Sequence, residues 1–223
     1  EFINAGFGGA NLKYLLDYLT GWSHKGPNAK FHESYIMPYN PDYIILFSTY
    51  NNIVFPTEPI SWQVTKILAD ISWFFVLVRE WIGLHFFNDI MALHYGNKRP
   101  LAISEIRAEL TKYRNKLEKY YSHCLKNNIR LIVGTQVTFI PDTYKQFSDL
   151  LNLEQVRTIE EKIIKTGEVT DYEAQYYQMA IFNLEMIDFA KDNNILLFDG
   201  ISIYPYPRRK YSFDQAHLNE EGA

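Results

Sequence analysis

Three short apolar runs, set apart by long stretches with helical spacing, constrain this chain more than any other feature. They are Tyr43 to Ser48, Ile129 to Gly134 and Ile195 to Phe198. The continuous apolar run from Tyr43 to Ser48 predicts a parallel strand buried on both faces, Ile129 to Gly134 the next strand and Ile195 to Phe198 a short buried one. Parallel neighbours need long crossovers, and right-handed crossovers lay helices on the two faces of the sheet. The expected fold class is therefore α/β, a three-layer α/β/α arrangement around a parallel sheet.

The connecting stretches carry matching helix signals. Leu12, Leu15, Leu16 and Leu19 form one stripe that should cover the sheet. Ser104 is expected to cap a helix running through Leu125, with Ile106, Leu110, Tyr113, Leu117, Tyr120, Tyr121 and Leu125 at helical spacing and Asn127-Asn128 ending it. Thr170-Asp171-Tyr172-Glu173 has the form of a capping box, which predicts a long helix to about Asp192. Residues 20–40 are expected to be loop with a short helix, and 142–169 one or two helices with loops. Asp199-Gly200 should turn the chain out of its last strand.

A chain of 223 residues, 47% hydrophobic and without repeats, suits one domain with a sizeable core. Within it, residues 53–100 are expected to form an aromatic-rich helical elaboration with Trp62, Trp73, Phe74, Phe75, Trp81, Phe86 and Phe87. Such a stretch suits an acyl-binding wall, a lid, a partner surface or plain core. Its longest apolar part, residues 71–87, is interrupted by Arg79-Glu80, so an amphipathic helix packed on the domain is expected and a membrane span is not.

The formal charge of −4 excludes a broad electrostatic footprint for nucleic acid, and Arg208-Arg209-Lys210 reads as a solvated loop. A single cysteine, Cys124, rules out an intrachain disulfide and is expected to sit buried or half-buried in its helix.

Two kinds of residue point to chemistry. Near the end of the sequence, Asp214 stands three residues before His217. A carboxylate in that position can meet one imidazole nitrogen, fix the tautomer and leave the other nitrogen free to take a proton; a capped helix start with a solvated histidine gives the same spacing. The second kind sits where strands end. Ligands of open α/β sheets bind beyond the carboxyl ends of the strands, which is where Asn51, Asn52, Thr135 and Gln136 fall. A turn asparagine bonding its own backbone, and turn satisfaction by Thr135 and Gln136, are the alternatives. The histidines show no metal-ligand spacing, so no metal site is expected.

The segments Asn4-Ala5-Gly6-Phe7-Gly8-Gly9, Thr49-Tyr50-Asn51-Asn52 and Asp214-Gln215-Ala216-His217, in this order, resemble the SGNH (GDSL-like) hydrolase superfamily. The resemblance implies a flavodoxin-like sheet, a base at His217, an acid at Asp214, and oxyanion donors at Gly9 and Asn51. Thr49 stands where the family has the glycine of Gly-x-Asn-Asp, and Asn52 where it has the aspartate. The family's serine nucleophile lies in a Gly-Asp-Ser motif ahead of the Asn-x-Gly turn, and neither Ser23 nor Ser202 takes its place. The chain is therefore expected to be an incomplete domain, lacking the first strand and most of the last helix. The activity implied is a serine esterase acting on a carboxylic ester of a small molecule, carbohydrate or lipid. A carbohydrate O-acyltransferase with the same residues and a non-catalytic binding domain are the alternatives.

Overall fold

The computed structural model describes residues 12–23, 31–49, 98–136 and 152–203. In chain order these form α1 (Leu12–Thr20), β1 (Trp22–Ser23), β2 (Phe31–His32), a 3-10 turn (Met37–Tyr39), β3 (Tyr43–Phe47) and β4 (Lys98–Pro100). Then follow α2 (Ile103–Lys126), β5 (Arg130–Gly134), α3 (Leu153–Thr166), β6 (Glu168–Thr170), α4 (Asp171–Asp192), β7 (Leu196–Phe198) and α5 (Gly200–Ile203).

The centre is a parallel three-stranded sheet in the order β3-β5-β7. Leu46 lies beside Val133 in register, and Ile132 beside Leu196. The helical connections between these parallel strands give the expected α/β class, consistent with a flavodoxin-like layered fold. The long run from Phe47 to β5 contains an unexpected feature: β4 pairs antiparallel with β6, Arg99 beside Val169.

One core forms where α1, α2 and α4 meet the inner face of the sheet. Leu12, Leu19, Leu46, Tyr113, Leu117, Tyr120, Leu131, Val133, Phe182, Met186 and Phe189 are all buried in it. The leucine stripe of α1 behaves as its spacing predicts, with Leu12 and Leu19 fully buried and Leu15 and Leu16 packed alongside. A second cluster joins α3 and the first half of α4 through Val156, Ile159, Ile163, Tyr172, Tyr176 and Met179. Helix α4 is buried on most of its circumference because it touches both clusters, as a helix without a polar stripe must be.

Several expectations need correction. Strands β3 and β7 are not buried on both faces: Tyr43, Ile45 and Phe47 are 41–50% exposed and Leu196 is 68% exposed. The core residues of β3 and β5 point to the helices, while the alternate residues Tyr43, Ile45 and Phe47 point to the opposite face. Ser104 does not cap α2. The chain leaves β4 already extended at Ala102, whose carbonyl accepts from the Glu105 and Ile106 amides, so Ser104 falls inside the first turn. Leu125 is off the buried stripe and 56% exposed; Cys124, 100° earlier around the helix, fills that place. Residues 20–40 contain the β1–β2 pair as well as a short helical turn, entered where the Ser34 hydroxyl accepts from the Ile36 and Met37 amides.

The remaining helix ends follow local rules. The Asn152 side chain caps α3 by accepting from the Gln155 amide, and Gly167, at φ +67°, closes it. At α4 the capping box is complete: the Thr170 hydroxyl accepts from the Glu173 amide at 3.3 Å, and Glu173 accepts from the Thr170 amide at 2.8 Å. Among the described residues no helix is long and apolar enough to cross a membrane.

Candidate functional site at the strand ends

Because β3, β5 and β7 run parallel, their carboxyl ends lie on one edge of the sheet. The chain leaves that edge at Ser48-Thr49, Thr135-Gln136 and Asp199-Gly200. Ser48, Thr49 and Thr135 are each 0–1% exposed, an unusual burial for hydroxyl residues at the ends of strands. Each is bonded, as a buried hydroxyl must be to avoid losing its hydration without replacement.

Asn183, in the middle of α4 and fully buried, organises these ends. Its Oδ1 accepts from the Gln136 backbone amide at 2.9 Å and from the Thr49 hydroxyl at 3.2 Å. Its Nδ2 donates to the Gln136 carbonyl at 2.8 Å. One primary amide thus meets both backbone groups of Gln136, much as a neighbouring strand would, and takes a hydroxyl from β3 as well.

The other hydroxyls extend the same fabric. Ser48 and Tyr113 share a hydrogen bond at 3.1 Å, and burial holds the Tyr113 phenol well above its ordinary range, so it stays a neutral hydroxyl. Thr135 donates to Asp199 at 3.2 Å and accepts from the Ile201 amide at 3.3 Å, tying β5 to the turn after β7. Gly200 has to be glycine there, since a Cβ would collide with the Thr135 carbonyl. Gly134 is constrained similarly: the Phe47 ring lies over it and meets Phe198 edge-on at 5.5 Å.

Of the residues singled out from the sequence, Thr135 and Gln136 are therefore at the strand-end edge. The Thr135 hydroxyl is committed to the Asp199 turn, and the Gln136 backbone to Asn183. His217, Asp214, Gly9, Asn51 and Asn52 lie outside the described residues, as do residues 50–97 with the aromatic stretch. Asn183 was missed because nothing in its neighbourhood marks it. A lone asparagine between Phe182 and Leu184 looks like an ordinary helix residue, and its poor helix propensity is the one available hint.

Elsewhere, a surface groove runs along α1 and the second half of α2, lined by Asp17, Asn115, Glu118, Lys119 and His123. Since α2 leads into the amino end of β5, the groove extends toward the edge opposite the strand-end site. Burial, aided by Lys126, lowers the His123 pKa, and its Nε2 is buried without a partner among the described residues. Among the described residues no cluster of His, Cys, Asp and Glu has the arrangement to hold a metal ion.

No protein-family model and no curated protein matches the chain. Among solved structures, the crystal structure of an acetyl xylan esterase is similar over 100% of this chain and 75% of its own, with a TM-score of 0.50. At 14% identity the similarity is one of fold. The α/β layering read from the sequence is thus an arrangement that an esterase also uses.

Proposed function

We propose that this chain supplies the base, the orienting acid and the oxyanion donors of an SGNH-type serine esterase, the Gly-Asp-Ser nucleophile not being among its 223 residues, with a carbohydrate O-acetyl group as the favoured substrate class and a lipid ester as the alternative. The reading is carried by one coincidence. A chain folded like an acetyl xylan esterase also contains Gly9, Asn51, Asp214 and His217 in the order of the SGNH motifs.

In this mechanism the serine hydroxyl of the family's Gly-Asp-Ser block attacks the ester carbonyl carbon while His217 takes its proton. His217 returns that proton to the departing alcohol as the carbon–oxygen bond breaks, leaving an acyl-serine. Water then attacks the acyl group, giving its proton to His217, and the serine leaves with a proton restored. Asp214 orients the imidazole and steadies its charged form. The Gly9 amide and the Asn51 side chain face the oxyanion, each contributing about 3 kcal/mol to the transition state. Asn52 and Gln136 are the substrate contacts of this reading, and Thr135 holds the Asp199 turn.

A carbohydrate O-acyltransferase would run the first half-reaction identically and replace water with a sugar hydroxyl. A non-catalytic binding domain is favoured by Thr49 and Asn52, which depart from the family's glycine and aspartate. Hydrolysis of p-nitrophenyl acetate by the complete protein separates these readings. The esterase reading expects p-nitrophenol release that His217→Ala abolishes; an unchanged rate in that variant would remove it. Release that rises when an oligosaccharide acceptor is added would favour the transferase.

A further inference from the structure

We propose that Asn183 is a positioning residue of this site, acting through Thr49 and Gln136 rather than touching substrate. The inference rests on the esterase reading for its catalytic consequence.

An asparagine in the interior of a helix is unfavourable by a few tenths of a kcal/mol relative to alanine, and a buried unpaired amide costs more. Asn183 is fully buried within α4, yet its three hydrogen bonds all go to the two strand ends that open the site. None goes to its own helix among the bonds described. The amide therefore fixes the separation between the end of β3 and the end of β5.

Thr49 gives the link its direction. It occupies the position of the glycine in the resembling family motif, where no side chain could donate, and here its hydroxyl reaches Asn183 at 3.2 Å. Asn51 follows two residues later. The end of β3 is thus anchored by a side-chain bond at the residue where the family motif has its glycine. Asn183 holds the β5 side of the opening by the Gln136 backbone, so one side chain governs both.

The test uses the complete protein and p-nitrophenyl acetate. Thr49→Val removes a single hydroxyl with little change of shape, and Asn183→Leu removes every bond at once. Displacements of about an ångström at a reacting centre cost up to about 100-fold in rate. The expected result is a fall in kcat of about 10- to 100-fold in both variants, with KM within about twofold and recovery in Thr49→Ser. Faster hydrogen exchange at the Gln136 amide in Asn183→Leu should accompany it. Should Asn183→Leu fail to fold, Thr49→Val with its serine rescue decides the question. Wild-type kcat in folded Thr49→Val, or a serine variant no better than valine, would overturn the positioning role while leaving the esterase reading intact. A wild-type protein that turns over no ester overturns the esterase reading, and the catalytic role of Asn183 falls with it.

Discussion

Asn183 and Gln136, one in the middle of a helix and the other just past the end of a strand, exchange hydrogen bonds in both directions at 2.9 and 2.8 Å. The side-chain amide reproduces the pattern a further β-strand would offer, without the strand. Together with the Thr49 bond it ties α4 to the ends of β3 and β5 at the carboxyl edge of the sheet.

Thr170 and Glu173 fix where α4 begins, and both should matter to stability. Thr170→Ala is expected to cost about 1 kcal/mol in urea unfolding. Burial alone would raise the Glu173 pKa, but Lys162, 2.7 Å from both carboxylate oxygens, and the Thr170 amide hold it below its ordinary value of 4.5. A carboxylate depressed in the folded state stabilises fully above its unfolded pKa and loses that contribution as pH falls through the folded value. The stability gap between wild type and Glu173→Gln should therefore be present at pH 7 and shrink below about pH 4. A gap that grows on acidification would contradict this.

That helix start was legible in the sequence because a capping box is a local signal: four consecutive residues state it. The α1 stripe was legible for the same reason, since Leu12, Leu15, Leu16 and Leu19 lie within two turns. What the sequence hid was non-local. The β4–β6 pair joins strands of three residues each that are far apart in sequence, too short to announce themselves. The alternation in β3 was masked because Tyr43, Ile45 and Phe47 are apolar despite their exposure, so a strand with one buried face read as a strand with two. Ala102 displaced Ser104 as the cap because tertiary pairing of β4 set the entry angle of α2. Strand-end logic located Thr135 and Gln136 at the carboxyl edge of the sheet, whereas Asn183 acts from another element and has no local signature.

Arg114 should be the strongest single polar tie between α2 and α4. Its guanidinium meets Glu185 at 3.0 Å, Asp192 at 2.9 Å and Glu118 at 3.2 Å, and lies 5.1 Å from the centre of the Phe189 ring. The Glu185 bond carries most of the effect, since both groups are only 20–24% exposed, while the Glu118 and Asp192 side chains are more than half exposed and screened. Arg114→Ala is expected to destabilise by about 2 kcal/mol. Arg114→Lys should recover little of it, because an ammonium can neither fork between carboxylates nor stack on the ring. A loss below about 0.5 kcal/mol for Arg114→Ala would show the cluster to be a surface ornament.

Cys124 should be chemically silent in the folded protein. It is fully buried, and desolvation pushes its thiol up to about 12, so almost no thiolate exists at pH 8. Iodoacetamide should leave the native protein unmodified and alkylate it once in urea. Stoichiometric labelling under native conditions would mean that the α1–α2–α4 core opens far more readily than its packing implies.

The proposed activity requires a serine nucleophile whose proton His217 takes. Mass spectrometry of the intact native protein after treatment with a fluorophosphonate probe tests it most directly. The prediction is a single adduct on a serine outside these 223 residues, abolished in His217→Ala. A folded protein that takes no adduct, or takes it undiminished without His217, would contradict it.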